Sequence, residues 1–246
     1  PFDLGFDYKI ESDSLYIDIS NTIKSSLRFA ASIDDPPLQR VLNQAFPLLL
    51  NPLTDTSFVF PWPIDTEPKF KYYFGNGKAP TSNVISNLPY PKGLSYKIVQ
   101  GYNGSFSHNH DFSRYAIDFD LKVGDTICAV EKGVVIGHIE AYKDGGSDRK
   151  WRPYANYVML YHPHKNLYTQ YVHLDHNGIL VEMGDTVLAG QVIGISGLTG
   201  FTGSEHLHFN VLRSDSTVFK SIPFQFENGI TGKDLKPGIR ARRKPI

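Results

Sequence analysis

Residues 123–127 read Val123-Gly124-Asp125-Thr126-Ile127, and the chain repeats itself further on as Met183-Gly184-Asp185-Thr186-Val187. Each copy is followed two residues later by alanine, Ala129 and Ala189. A Gly-Asp pair is a turn signal, because glycine enters left-handed backbone without steric cost and aspartate hydrogen-bonds the backbone near it. The β-branched pair that follows favours a strand. Two half-units of this kind, packed face to face, form the barrel-sandwich arrangement. The echo therefore sets the expectation for this half of the chain: all-β, with short antiparallel strands.

Working outward, strands are predicted at 96–99, 115–121, 126–130, 133–140, 157–161, 167–174, 186–189, 192–196 and 206–212, from alternating or β-branched runs. Turn pairs such as Lys132-Gly133 and Asn177-Gly178 join them, and helical periodicity is absent. Upstream, 15–19, 27–31, 57–60 and 70–74 read as strands, with a short helix at 38–46 between flanking prolines. Eleven of 16 prolines lie in 1–91, and only Pro153 and Pro163 lie in 92–222. The stretch 83–93 (NVISNLPYPKG) reads as a linker, since a residue before proline is held extended. The expectation is an N-terminal β-sandwich-like domain of immunoglobulin type at 1–90 and a β-sandwich or barrel-sandwich-like domain at 91–225. A basic C-terminal tail, 226–246, would follow, with Arg240–Lys244 (RARRK) as a solvated end or as a binder of an anionic wall or lipid.

Composition removes several functional classes. Lys+Arg and Asp+Glu both number 25, so no net field favours nucleic acid or an anionic membrane. A single cysteine, Cys128, excludes an intrachain disulfide and a thiolate-rich zinc module. It reads as a small buried hydrophobe. No apolar run approaches the ~20 residues of a membrane span. The chain opens at Pro1 without a leader pattern, as expected of a processed chain.

All nine histidines fall between His108 and His208. Histidine is the commonest metal ligand and the usual acid or base near neutral pH. In Glu205-His206-Leu207-His208-Phe209 the two imidazoles share one face of a strand, opposite Leu207 and Phe209. Asp118 interrupts an apolar run on the face opposite Ile117, Phe119 and Leu121. A carboxylate there is costly unless paired, metal-bound or turned to solvent. His173 follows Tyr171 by two residues, on the same face of a regular strand. His138, His162, His164 and His176 have no such context and read as surface residues. The insertion 141–155 reads as a long hairpin loop, or as a groove wall built on Trp151 and Tyr154.

In order, the blocks Tyr115-Ala116-Ile117-Asp118-Phe119, Gly124-Asp125-Thr126, Gly133-Val134-Val135, Tyr171-Val172-His173-Leu174, Gly190-Gln191-Val192-Ile193-Gly194, Gly197-Leu198-Thr199-Gly200 and His206-Leu207-His208-Phe209 resemble the M23 peptidases, the lysostaphin/LytM-type zinc endopeptidases. The likeness covers about half the chain. It implies that Asp118 and His208 are zinc ligands and that His173 and His206 are catalytic. The usual histidine four residues before the aspartate is replaced by Arg114. His108 is taken as the third ligand, with His110 as the alternative. Two histidines and one carboxylate leave a fourth tetrahedral position open, a set that suits Zn2+. The resemblance further implies hydrolysis of peptide bonds in bacterial peptidoglycan, by an exported protein of the periplasm, envelope or exterior. The alternative is a catalytically silent relative that binds wall or regulates. A biotinyl or lipoyl carrier, which the Gly-Asp-Thr echo also permits, explains none of the histidines.

Overall fold

The computed structural model describes residues 5–214 and 218–244. By their contacts the described residues form two units, one of 5–78 with Val218 and one of 79–214 with 219–244.

The first unit holds two antiparallel sheets of three strands. Gly5–Glu11, Ser14–Ser20 and Asp55–Pro61 form one, in that order. Leu48–Leu50, Leu27–Ser32 and Lys69–Phe74 form the other. That is one strand fewer than a constant-type immunoglobulin sandwich. In Ser14–Ser20 the alternation puts Leu15, Ile17 and Ile19 in the core. Phe6 stacks on Phe29 and meets Phe70 edge-on, so aromatic rings join the sheets. The helix is Pro36–Leu42, shorter than its reading. Asp35 caps it by accepting from Leu38 N at 2.9 Å, and prolines occupy the first turn, where no N–H is needed.

The second unit is built on a large sheet. Its order is Thr186–Val187, Gly133–Ile139, Tyr157–His162, Leu167–Val172, Leu207–Ser214, Ile117–Phe119, Ser95–Gln100 and Arg240–Arg242, with Phe219–Ser221 paired beside Leu207–Ser214. A three-stranded sheet of Thr126–Cys128, Val192–Ser196 and Leu174–Ile179 completes the β architecture. These pairings are all antiparallel; two short parallel pairs, Gly145–Gly146 with Gly200–Phe201 and Gln225–Phe226 with Val84–Ile85, stand apart. One apolar core includes Phe119, Ile127, Val135, Tyr171, Ile193 and Phe209.

The Gly-Asp echo is structural. Asp125 Oδ2 accepts from Lys122 N at 2.7 Å, and Asp185 Oδ2 accepts from Glu182 N at 2.9 Å. Gly124 and Gly184 have φ of 93° and 84°, the left-handed region that favours glycine. Each turn is then clasped by a strand. Gly124 N donates to Ser196 O and Ser196 N to Asp125 O, while Gly184 N donates to Val135 O and Val135 N to Asp185 O.

Three expectations are corrected. The stretch read as a linker contributes Val84–Ile85 as a strand and buries Leu88 and Tyr90. The sequence reading makes Arg240–Lys244 a solvated end, yet Arg240–Arg242 pairs with Ser95–Gln100. Beside it, Arg243 is buried and donates to Tyr90 O at 2.7 Å, which satisfies a core carbonyl. Third, His162 lies in the interior with no exposed surface. Its Nδ1 donates to Lys132 O, and its Nε2 lies 2.8 Å from Thr169 Oγ1. Cys128 is buried, as read.

Candidate metal centre

The site grows from the strand pair Ile117–Phe119 and Leu207–Ser214. Their antiparallel register sets His208 directly opposite Asp118. Asp118 is 2% exposed, so the alternative of a solvent-facing carboxylate does not hold. His108 reaches the same point from the loop that follows Ser95–Gln100. The three donor atoms converge. His208 Nδ1 is 2.9 Å from Asp118 Oδ1, His108 Nε2 is 3.1 Å from the same oxygen, and the two nitrogens are 3.2 Å apart. Ligand atoms on a tetrahedral zinc, each ~2.0–2.1 Å from the ion, stand roughly 3.3 Å apart, so this donor set fits such an ion closely. Among the described residues this is the one group of His, Cys, Asp or Glu so assembled.

The sequence left the third member open between His108 and His110, and the structure separates them. His108 is fully buried inside the group. His110 is exposed, and its Nε2 accepts from the Arg152 guanidinium at 3.3 Å. Arg114, at the position of the usual family histidine, pairs with Asp111 on the surface.

Outer partners orient the donors. His108 Nδ1 donates to Gly101 O at 2.8 Å, which leaves Nε2 with its lone pair toward the centre. Gln100 Nε2 donates to Asp118 Oδ2 at 2.9 Å, which leaves Oδ1 for the centre. Gln100 also ties down the loop bearing His108: it donates to Ser107 Oγ and accepts from Phe106 N. Neither Gln100 nor the Gly101 carbonyl was singled out from sequence. The only signal was a polar residue ending a strand before a Gly-rich turn.

His173 and His206 adjoin the group, their ring centres 4.7 Å apart. His206 Nε2 lies 3.7 Å from Asp118 Oδ2. Both rings carry the same tautomer, because a carbonyl accepts from each Nδ1: Thr199 O at 2.7 Å for His173, and Ser204 O at 2.8 Å for His206. Each Nδ1 is thus occupied by a carbonyl, and Nε2 is the ring nitrogen left for other partners. His206 and His208 share a side as the strand alternation implies, with Leu207 and Phe209 in the core. His173 does not follow from alternation. A regular strand would leave it on the Tyr171 face, which is core. Instead its φ of 69° breaks the strand, and the ring joins Gln170 and Val172 along the open cleft. Glu205 turns away toward Lys122 and Val123.

The electrostatics follow from burial against charge. Burial opposes ionisation of Asp118, but the neighbouring His206, His108 and His208 outweigh it, and its pKa lies well below the ordinary carboxylate range. Burial lowers His108 too, yet the bond and charge of Asp118 carry it above the usual imidazole value. Burial dominates in His208, whose pKa is lowered. In His173 burial, aided by repulsion from His206 and His208, holds the pKa down to about 3. His173 is therefore a neutral base across the physiological range.

Beside these rings opens a cleft of 370 Å³ whose walls include Phe112, Tyr157, Gln170 and Phe201. The insertion forms one side of it. Its 3-10 turn Arg149–Tyr154 presents Arg152 and Pro153 to the cleft, rather than Trp151 and Tyr154.

Residues 112–220 match the family model for peptidase family M23. The match begins at residue 112, so His108 lies outside it, while Arg114 lies within it. A glycyl-glycine endopeptidase, ALE-1 of Staphylococcus capitis, is 30% identical over 149 residues, 55% of this chain and 33% of that protein. Lysostaphin of Staphylococcus simulans is 30% identical over the same length, covering 55% of this chain and 24% of its own. The peptidoglycan DD-endopeptidase ShyA of Vibrio cholerae is 34% identical over 131 residues, 52% and 27% of the two chains. The matches span about a quarter to a third of each of these relatives. Residues 112–220, a little under half of this chain, thus match peptidase family M23, and two of these relatives are named endopeptidases.

Proposed function

We propose that this chain is a zinc-dependent endopeptidase that cuts peptide bonds in bacterial peptidoglycan, acting outside the cytoplasm in the envelope or beyond. The observation that carries the reading is the convergence of His108 Nε2, Asp118 Oδ1 and His208 Nδ1 beside two imidazoles whose Nδ1 atoms are each held by a backbone carbonyl. The substrate class rests on the relatives, two of which are named for glycyl-glycine and peptidoglycan endopeptidase activity. Among the described residues no helix is long and apolar enough to cross a membrane.

His108, Asp118 and His208 would hold the metal. Bound there, zinc supplies a Lewis acid for the scissile carbonyl and draws the pKa of a water toward ~7. The chain's own groups divide the proton work. His206 takes the proton given up by the attacking water, because Asp118 Oδ2 at 3.7 Å stabilises the cation that forms. His206 then returns that proton to the leaving amine. His173 resists protonation, so it serves as an acceptor that orients the attacking water through Nε2. Thr199 and Ser204 fix both rings through their carbonyls.

The test is a measurement of metal content together with hydrolysis of a pentaglycine-bridged or directly cross-linked muropeptide. The expected result is one zinc per chain and cleavage. His206→Ala should lower kcat by at least ~100-fold while zinc stays bound. Zinc bound with no cleavage of either substrate would make the chain a silent wall-binding relative. Full activity in His206→Ala would overturn the assignment of the base.

A further inference from the structure

We infer that Arg152 makes this cleft selective for a peptide carrying a carboxylate beside the scissile bond. The inference rests on the endopeptidase reading above and names the substrate feature that this chain's own insertion would recognise. Arg152 is exposed and, among the described residues, forms no ion pair. It is nonetheless held in place. Its guanidinium carbon sits 5.3 Å from the centre of the Phe201 ring, and it donates to His110 Nε2 at 3.3 Å. Phe201 is itself stacked on Phe106, ring centres 4.8 Å apart at 10°. The order of a long side chain is thus largely in place before a ligand arrives, which favours binding.

No carboxylate side chain lines the cleft, and Arg152 is its one permanent charge. With a divalent ion on Asp118 the floor gains a further net positive charge. An arginine fork matches a carboxylate in a bidentate way, which a lysine does not. The cleft's 370 Å³ lies within the ~300–1,000 Å³ usual for small-ligand sites. An acidic peptide fits this cleft: its carboxylate meets the Arg152 fork, and no carboxylate of the lining repels it.

The experiment uses the full, zinc-loaded chain and three fluorescent oligoglycine peptides that differ at one residue flanking the cleavable bond: Glu, Gln or Lys. Dissociation constants come from fluorescence anisotropy and kcat/KM from cleavage. The Glu peptide should bind about tenfold or more tightly than the Gln peptide, with the Lys peptide weakest. In Arg152→Gln the Glu-over-Gln preference should fall to within about twofold, and Arg152→Lys should restore part of it. Equal affinities in the wild type, or an Arg152→Gln loss equal for all three peptides, would overturn the inference. If binding discriminates but nothing is cleaved, the endopeptidase reading fails and the selectivity stands.

Discussion

A proton on the His162 ring has no favourable place to go. The ring is fully buried between Lys132 O and Thr169 Oγ1, and burial holds its pKa down to about 4 from an ordinary 6.5. The unfolded chain takes up that proton as pH falls through ~6.5, whereas the folded chain resists until about 4. The contribution is therefore complete above ~6.5 and is lost as pH falls from 6.5 toward 4, by up to ~3 kcal/mol. Urea unfolding at pH 7 and pH 4.5 should show a smaller stability loss in His162→Gln than in the wild type; equal losses would remove His162 as the cause. Gln100 makes a second prediction at this scale. It holds the free oxygen of Asp118 and braces the His108 loop. Gln100→Leu should weaken zinc about 10–100-fold in a chelator competition while the fold persists. Sequence alone could make Asp118, His206 and His208 candidates, because their residue types and period-2 spacing are local facts. It could not single out Gln100, since a strand-end glutamine is ordinary until its partner is known.

At the scale of the element, one glycine ties the strand that carries His173 to its neighbour. Gly197 N donates to His173 O at 2.8 Å. A Cβ built at Gly197 would lie 2.5 Å from Asp175 Cα and N and 2.8 Å from Leu174 C. These are backbone atoms, which cannot swing aside. Gly197→Ala should cost roughly 1–3 kcal/mol and displace the break at His173, so that kcat falls with the melting temperature. Thermal unfolding and cleavage assays measured together check this; wild-type values for both would show that the two strands yield freely. The twin Gly-Asp turns were legible because each is complete within five residues. The break at His173 was not. A positive φ at a non-glycine residue costs ~1–2 kcal/mol locally and persists only where the surroundings impose it. Here the Thr199 carbonyl, from another loop, holds the ring.

At the scale of the whole molecule, each unit has its own buried set: Leu15, Ile17, Phe29 and Trp62 in the first, Phe119, Val135, Tyr171 and Phe209 in the second. The proposed metal ligands all belong to the second. Calorimetry should resolve two unfolding events, and zinc at about a hundredfold its dissociation constant should stabilise one of them by ~2.7 kcal/mol. A zinc shift of both events alike, or a single event, would mean that the units unfold as one. The boundary between the units also marks where sequence reasoning reached its limit. Proline density placed a break near 90, but packing places it at Lys78 and Ala79. Val84, Ile85 and Tyr90 belong to the second unit because their partners, Gln225, Phe226 and Ala241, come from the far end of the chain.

What the sequence by itself determined is whatever repeats or alternates over a few residues. That includes the mainly β character of both units, the paired Gly-Asp turns, the face shared by His206 and His208, and the family resemblance. These depend on local backbone preferences and side-chain period, which a short window contains. What only the tertiary structure decided is which distant groups meet. It set His108, and not His110, against Asp118 and His208, buried His162, turned His173 out of its strand and paired Arg240–Arg242 at the edge of the large sheet. Each of those outcomes depends on a partner many residues away, and burial in a shared core gives that partner its effect.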